Sequence, residues 1–132
     1  MMLFKTIFLC VKDYYNKIKD AFYWRYNRIK FNFLDVHFGK NLIVQGHIYI
    51  DKKADSDITI GDNCVIKSGN NLNPLSRNIR SSIYVNENAK LIIGNNCGFS
   101  SVCIWAHKSI NIGNNVNIGA DTIIMDSDAH SL

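Results

Sequence analysis

From Asn41 onward an aliphatic residue recurs every six positions, and this period constrains the fold more tightly than any other feature of the chain. The clearest copies are Ile60-Gly-Asp-Asn-Cys-Val before Ile66, Ile93-Gly-Asn-Asn-Cys-Gly before Phe99, and Ile112-Gly-Asn-Asn-Val-Asn before Ile118. Ile118-Gly-Ala-Asp-Thr-Ile then leads to Ile124, and weaker copies begin at Val44, Ile50 and Val85. A period of six fits neither a helix nor a simple alternating strand. It fits one short strand plus one corner, so that three units close a triangular rung of about eighteen residues with the aliphatic residues stacked inside. Gly or Asn after the aliphatic residue suits a corner with positive φ, where a Cβ is costly. The fifth place, held by Cys64, Ala89, Cys97, Val116 and Thr122, calls for a small side chain pointing inward. The expected fold is an all-β solenoid, a parallel β-helix over residues 39–132.

Two interruptions break the period. Between Gly69 and Ser82 the run NNLNPLSRNIRS holds the chain's one proline and reads as an excursion or a long corner. Ile93 and Ile112 are nineteen residues apart rather than eighteen, which predicts a one-residue bulge near Trp105–Ser109. Insertions in repeat arrays gather on one face, often the binding face, so Trp105 and His107 are expected to be exposed there.

Residues 1–38 obey a different rule. Phe4, Ile7, Phe8, Val11, Tyr14, Tyr15, Ile18, Phe22, Tyr26 and Ile29 follow intervals of three and four, which predicts an amphipathic α-helix. The preferred reading packs it across the flank or end of the array, its aromatics covering an open edge, since solenoids need caps. The other reading lays residues 1–30 on an anionic membrane surface as a peripheral contact.

That segment carries seven Lys/Arg against two Asp, a net +5 that leaves the rest of the chain at −1. The array therefore has no basic stripe for a phosphate backbone, and nucleic acid is not an expected partner. No stretch approaches the ~20 apolar residues of a membrane span, and the N-terminus lacks the small-residue cleavage site of a signal peptide. Cys10, Cys64, Cys97 and Cys103 form no CxxC pair or zinc spacing, so free thiols, no metal site and a cytoplasmic location are expected.

The array ends in Met125-Asp-Ser-Asp-Ala-His130-Ser-Leu. This stretch, following I-G-x-N repeats, resembles the D-x-D-x-H segment of the hexapeptide-repeat acyltransferases, in particular the maltose, galactoside and polysaccharide sugar O-acetyltransferases. The resemblance covers residues 40–132. It implies a left-handed parallel β-helix, a homotrimer, acetyl-CoA as co-substrate and a sugar or polysaccharide acceptor. It also implies that His130 is the general base, an imidazole whose ordinary pKa of ~6.5 suits the task. Asp126 or Asp128 would orient the ring or bind the acceptor. Where the family places an acceptor-binding asparagine on the preceding rung, this chain has Ser100 or Ser101. Trp105 and His107 complete the candidate site, and no cofactor-binding residues are assigned.

Two further readings stand beside this one. A zinc enzyme of the same fold, the γ-type carbonic anhydrase, is disfavoured because no His-x₄-His spacing occurs. A catalytically inactive, truncated β-helix with a structural or association role becomes the leading account if the natural protein ends at Leu132, because in the family further rungs after the histidine form the acetyl-CoA groove. Continued I-G-x-N repeats beyond Leu132 would restore the enzyme reading.

Overall fold

The computed structural model describes residues 1–69 and 72–128. Among the described residues a single long helix, α1 (Met2–Phe33), precedes twelve short strands. The first rung is β1 (His37–Phe38), β2 (Ile43–Gly46) and β3 (Tyr49–Lys52), and the second is β4 (Asp57–Ile60), β5 (Val65–Ser68) and β6 (Ser82–Val85). The third is β7 (Lys90–Ile93), β8 (Gly98–Ser100) and β9 (Cys103–Ala106), and the last is β10 (Ser109–Ile112), β11 (Asn117–Ile118) and β12 (Ile123–Met125). Each strand pairs in parallel with the one three places later, giving three four-stranded sheets: β1-β4-β7-β10, β2-β5-β8-β11 and β3-β6-β9-β12. The chain thus visits the three sheets in rotation around one core, a parallel β-helix-like arrangement. Strand β1 starts at His37, two residues inside the segment expected to hold only helix and linker.

The register stacks like on like. Ile60 pairs with Ile93 and Ile93 with Ile112, Ile66 with Phe99 and Phe99 with Ile118, Ile83 with Ile104 and Ile104 with Ile124. In the second and third rungs these side chains are at most 4% exposed, so each contributes about 1.5–3 kcal/mol of burial. The nineteen-residue step from Ile93 to Ile112 is the observed register, but the bulge expected near Trp105–Ser109 does not form. The two-residue bend His107–Lys108 links β9 to β10, where four residues link β3 to β4 and β6 to β7.

The structure decodes the repeat letter by letter, with one correction. The glycine does not adopt positive φ; Asn63, Asn96 and Asn115, two places later, do, at φ 56°, 57° and 60°. Asparagine tolerates this left-handed corner better than other residues bearing a Cβ. The glycine answers a different need, close approach between rungs. A Cβ on Gly61 would lie 2.7 Å from the carbonyl carbon of Gly94, and one on Gly94 would lie 2.7 Å from that of Gly113. Between them the Asp/Asn side chain bonds the rung before: Asp62 accepts from the Lys40 amide at 2.7 Å, Asn95 from Asp62 at 2.8 Å and Asn114 from Asn95 at 2.7 Å. The small fifth residue is buried as expected at Cys64, Ala89 and Cys97. The two thiols donate to the Gly94 and Gly113 carbonyls of the next rung, and all four cysteines are free.

The excursion leaves β5 and returns to β6. Gly69 N–H donates to the Ile79 carbonyl at 3.1 Å, closing its neck. Asn73 caps a short 3₁₀ turn (Pro74–Ser76) through the Leu75 amide and donates to Ser100 Oγ at 2.9 Å.

Helix α1 meets the array differently from expectation. Only Asn27 and Phe31 are buried along its length. Asn27 Nδ2 donates to the Gly46 carbonyl at 2.7 Å, Lys30 Nζ donates to the Ile48 carbonyl, and Phe31 packs edge-on against Phe38. These groups satisfy carbonyls at the open β2 edge. Of the apolar residues expected to cover that edge, Tyr26 packs edge-on against His47, but Phe4, Phe8, Phe22 and Ile29 are 61–76% exposed. No described helix is long and apolar enough to cross a membrane.

Candidate functional site

Corners from the third sheet back to the first form a column down one side of the molecule. It comprises Lys53–Ser56 after β3, Asn86–Ala89 after β6, the bend at His107–Lys108 after β9, and Asp126–Asp128 after β12. Backbone bonds stack the corners, Lys53 N–H on the Val85 carbonyl and Asn86 N–H on the Ala106 carbonyl. Lys53, Ala54, Asn86, Glu87 and His107 line an open hollow of about 650 Å³ in this column.

Three of the expected residues come together here. Asp126 is the clamp. Its Oδ1 accepts from the His107 amide at 2.6 Å, and its Oδ2 from those of Lys108 and Ser109 at 2.8 and 2.7 Å. Slight burial tends to raise its pKa, but the backbone donors together outweigh this and hold it below the ordinary 3.8. The carboxylate therefore stays ionised and is committed to the bend through three backbone donors.

Trp105 and His107 are ordered by a residue that the repeat pattern did not single out. Asn86 Oδ1 accepts from Trp105 Nε1 at 3.0 Å, and its Nδ2 faces His107 Nδ1 at 3.0 Å. An indole N–H can only donate, so the amide orientation is determined: oxygen to Trp105, NH₂ to His107. Nδ1 of His107 must then accept, and the proton of the neutral ring sits on Nε2. That Nε2 is buried with no partner among the described residues. The two rings lie 4.6 Å apart, and Tyr84 lies tilted beyond Trp105 at 6.0 Å, with Tyr49 beyond Tyr84 at 5.5 Å. Both Trp105 and His107 are half-buried rather than fully exposed.

The other expected residues fall elsewhere. Ser101 is buried at a different corner, between β8 and β9, with φ 53°. Its Oγ donates to the Ile79 carbonyl at 2.6 Å, tying down the excursion, so its hydroxyl is committed there and stands apart from the corner column. Asp128 is exposed near the end of the described segment. His130 lies outside the described residues. Asn86 escaped notice because it follows a weak repeat copy, Val85-Asn-Glu-Asn-Ala, where Asn reads as an ordinary corner residue.

A second hollow, of about 440 Å³, lies between the excursion and the second sheet, lined by Lys67, Leu72, Pro74 and Asn117 among others.

Comparisons with protein-family models, curated proteins and solved structures return no match. The functional reading therefore rests on the chemistry of the corner column and on the repeat.

Proposed function

We propose that this chain is an acetyl-CoA-dependent O-acetyltransferase acting on a hydroxyl of a sugar or polysaccharide unit. In this reading it is a left-handed β-helix working as a cytoplasmic homotrimer, with His130 as the general base. Handedness belongs to the proposal, because the same sheet order arises with either hand.

The observation that carries the reading is the Asp126 clamp. It ties the beginning of the Asp126–His130 stretch to the bend beside Trp105 and His107, so the segment bearing the proposed base leaves from a corner already lined with polar and aromatic groups. In the reaction His130 takes the proton of the acceptor hydroxyl while that oxygen attacks the thioester carbonyl. The tetrahedral intermediate expels the CoA thiolate, which receives the proton from the imidazolium. A base of this kind contributes about 10²–10⁴-fold. His107 takes a different part. Its accepting Nδ1 is occupied and its remaining nitrogen carries a proton and is buried, so it holds the corner in shape rather than removing a proton. Trp105, half-buried and tilted against Tyr84 and His107, is the aromatic ring assigned to the sugar.

The test is acetyl transfer from acetyl-CoA to sugar acceptors, followed by thiol release. The His130→Ala protein should lose at least 10²-fold in kcat with an unchanged circular dichroism spectrum. Undiminished turnover would refute the base assignment. Absence of saturable CoA binding in calorimetry at about millimolar CoA, a Kd worth only ~4 kcal/mol, would refute the acetyltransferase reading.

A further inference from the structure

Helix α1 presents its apolar stripe away from the protein. At about 100° per residue, Phe4, Phe8, Val11, Ile18, Phe22 and Ile29 fall within an arc of roughly a quarter turn. Asn27 and Phe31, which bind the array, lie about half a turn from that arc. Exposure agrees: the six stripe residues are 53–76% exposed, whereas Asn27 and Phe31 are 1% exposed. The stripe stays bare even at Ile29, between the two anchoring residues. A stripe left open because the helix end frays would be covered at that point. This one is directed outward by the anchor itself.

The charge says what covers it. Lys5, Lys12 and Lys19 flank the stripe on one side, and Lys17, Arg25 and Arg28 on the other, against only Asp13 and Asp20 in the helix. A second copy of α1 would bring another +5 against this one with few carboxylates to pair it. An anionic lipid surface supplies the opposite sign, and long basic side chains beside an apolar stripe reach headgroups while their stems stay in the acyl boundary. Tyr14, Tyr15 and Tyr26, 42–69% exposed, add amphipathic rings suited to that interface. The helix cannot span the bilayer, so it lies in its plane.

We propose that α1 docks the protein on an anionic membrane surface, in-plane, through the stripe running from Phe4 to Ile29. This inference stands independently of the acetyltransferase reading.

The experiment is co-sedimentation of the full chain with phosphatidylcholine vesicles, with and without phosphatidylglycerol. The chain should sediment with the anionic vesicles at low salt. It should be released at about 1 M salt, where the screening length falls to ~3 Å, and bind pure phosphatidylcholine far more weakly. Lys12→Glu/Lys19→Glu should weaken binding to anionic vesicles roughly tenfold or more, each basic side chain near such a surface being worth about a factor of five. Phe8→Glu/Phe22→Glu changes only exposed side chains and should abolish binding with the circular dichroism spectrum unchanged. No sedimentation with anionic vesicles at low salt would overturn the proposal. So would sedimentation-equilibrium data showing that Phe8→Glu/Phe22→Glu dissociates an oligomer while vesicle binding persists, because the stripe would then belong to a second copy.

Discussion

Within the six-residue repeat, two glycines that look identical in sequence occupy different surroundings. Gly94 sits against the next rung, where a Cβ would meet the Gly113 carbonyl carbon at 2.7 Å, whereas a Cβ on Gly113 meets nothing within 4 Å. Backbone cannot yield as a flexible side chain can, so Gly94→Ala should destabilise the fold by about 1–3 kcal/mol. Gly113→Ala should stay within about 0.5 kcal/mol of the parent. Urea denaturation of the two variants decides, and equal midpoints would contradict the stacking. At this scale much was legible. The inward aliphatic residues and the small fifth position follow from the volume inside a narrow rung, and Cys64 and Cys97 are buried as that argument requires. The duty of the glycine was not legible. Positive φ and close approach both select glycine, and only the neighbouring rung shows which of them applies.

Between elements, the bend joining β9 to β10 depends on a carboxylate from the following rung. Asp126→Asn would replace one acceptor oxygen by an NH₂ group facing backbone donors, and after allowance for exposure should cost about 1–2 kcal/mol at neutral pH. The pH dependence has a definite sign. The folded-state pKa is depressed, so the stabilisation is fully present above the ordinary value near 3.8 and is lost as pH falls through the lower folded value. The gap between parent and variant, measured by denaturation across pH 7 to about 3, should therefore narrow in acid; a constant gap would count against the clamp. The extra residue implied by the nineteen-residue spacing is not housed here, because this bend has two residues where the links from β3 to β4 and from β6 to β7 have four. Asn86 was not visible in the sequence either. Its importance comes from being bracketed by Trp105 and His107, which are nineteen and twenty-one residues away.

Over the whole molecule, helix and array meet through a small anchor of Asn27, Lys30 and Phe31. Lys30, half-buried beneath Tyr26, has its pKa pushed down to about 8, chiefly by burial and then by the Arg80 guanidinium. The unfolded chain keeps this proton up to about 10.5, so between about 8 and 10.5 the unfolded state binds more protons and stability rises with pH. Below about 8 the penalty of burying the charge is constant. Lys30→Met removes this component, so its stability relative to the parent should decline from pH 8 to 10; parallel curves would place Lys30 in water. The raised pKa of the buried Cys64 thiol acts in the opposite direction, but is common to both proteins and cancels in the difference.

The six-residue period determined, without coordinates, that this chain builds three parallel sheets around one narrow core, because inward residues must recur once per strand-plus-corner and nothing else satisfies that spacing. A helix over the first thirty residues followed equally from its three-and-four intervals. Tertiary structure decided which way that helix faces. Periodicity identifies an apolar stripe but not what the stripe meets, and the unpaired carbonyls of Gly46 and Ile48 drew in Asn27 and Lys30 from the other side. Tertiary structure likewise separated Ser101 from Trp105, His107 and Asp126. Residues four apart in the chain belong to different corners when the chain turns between them, and only the stacked rungs determine which corner each one serves.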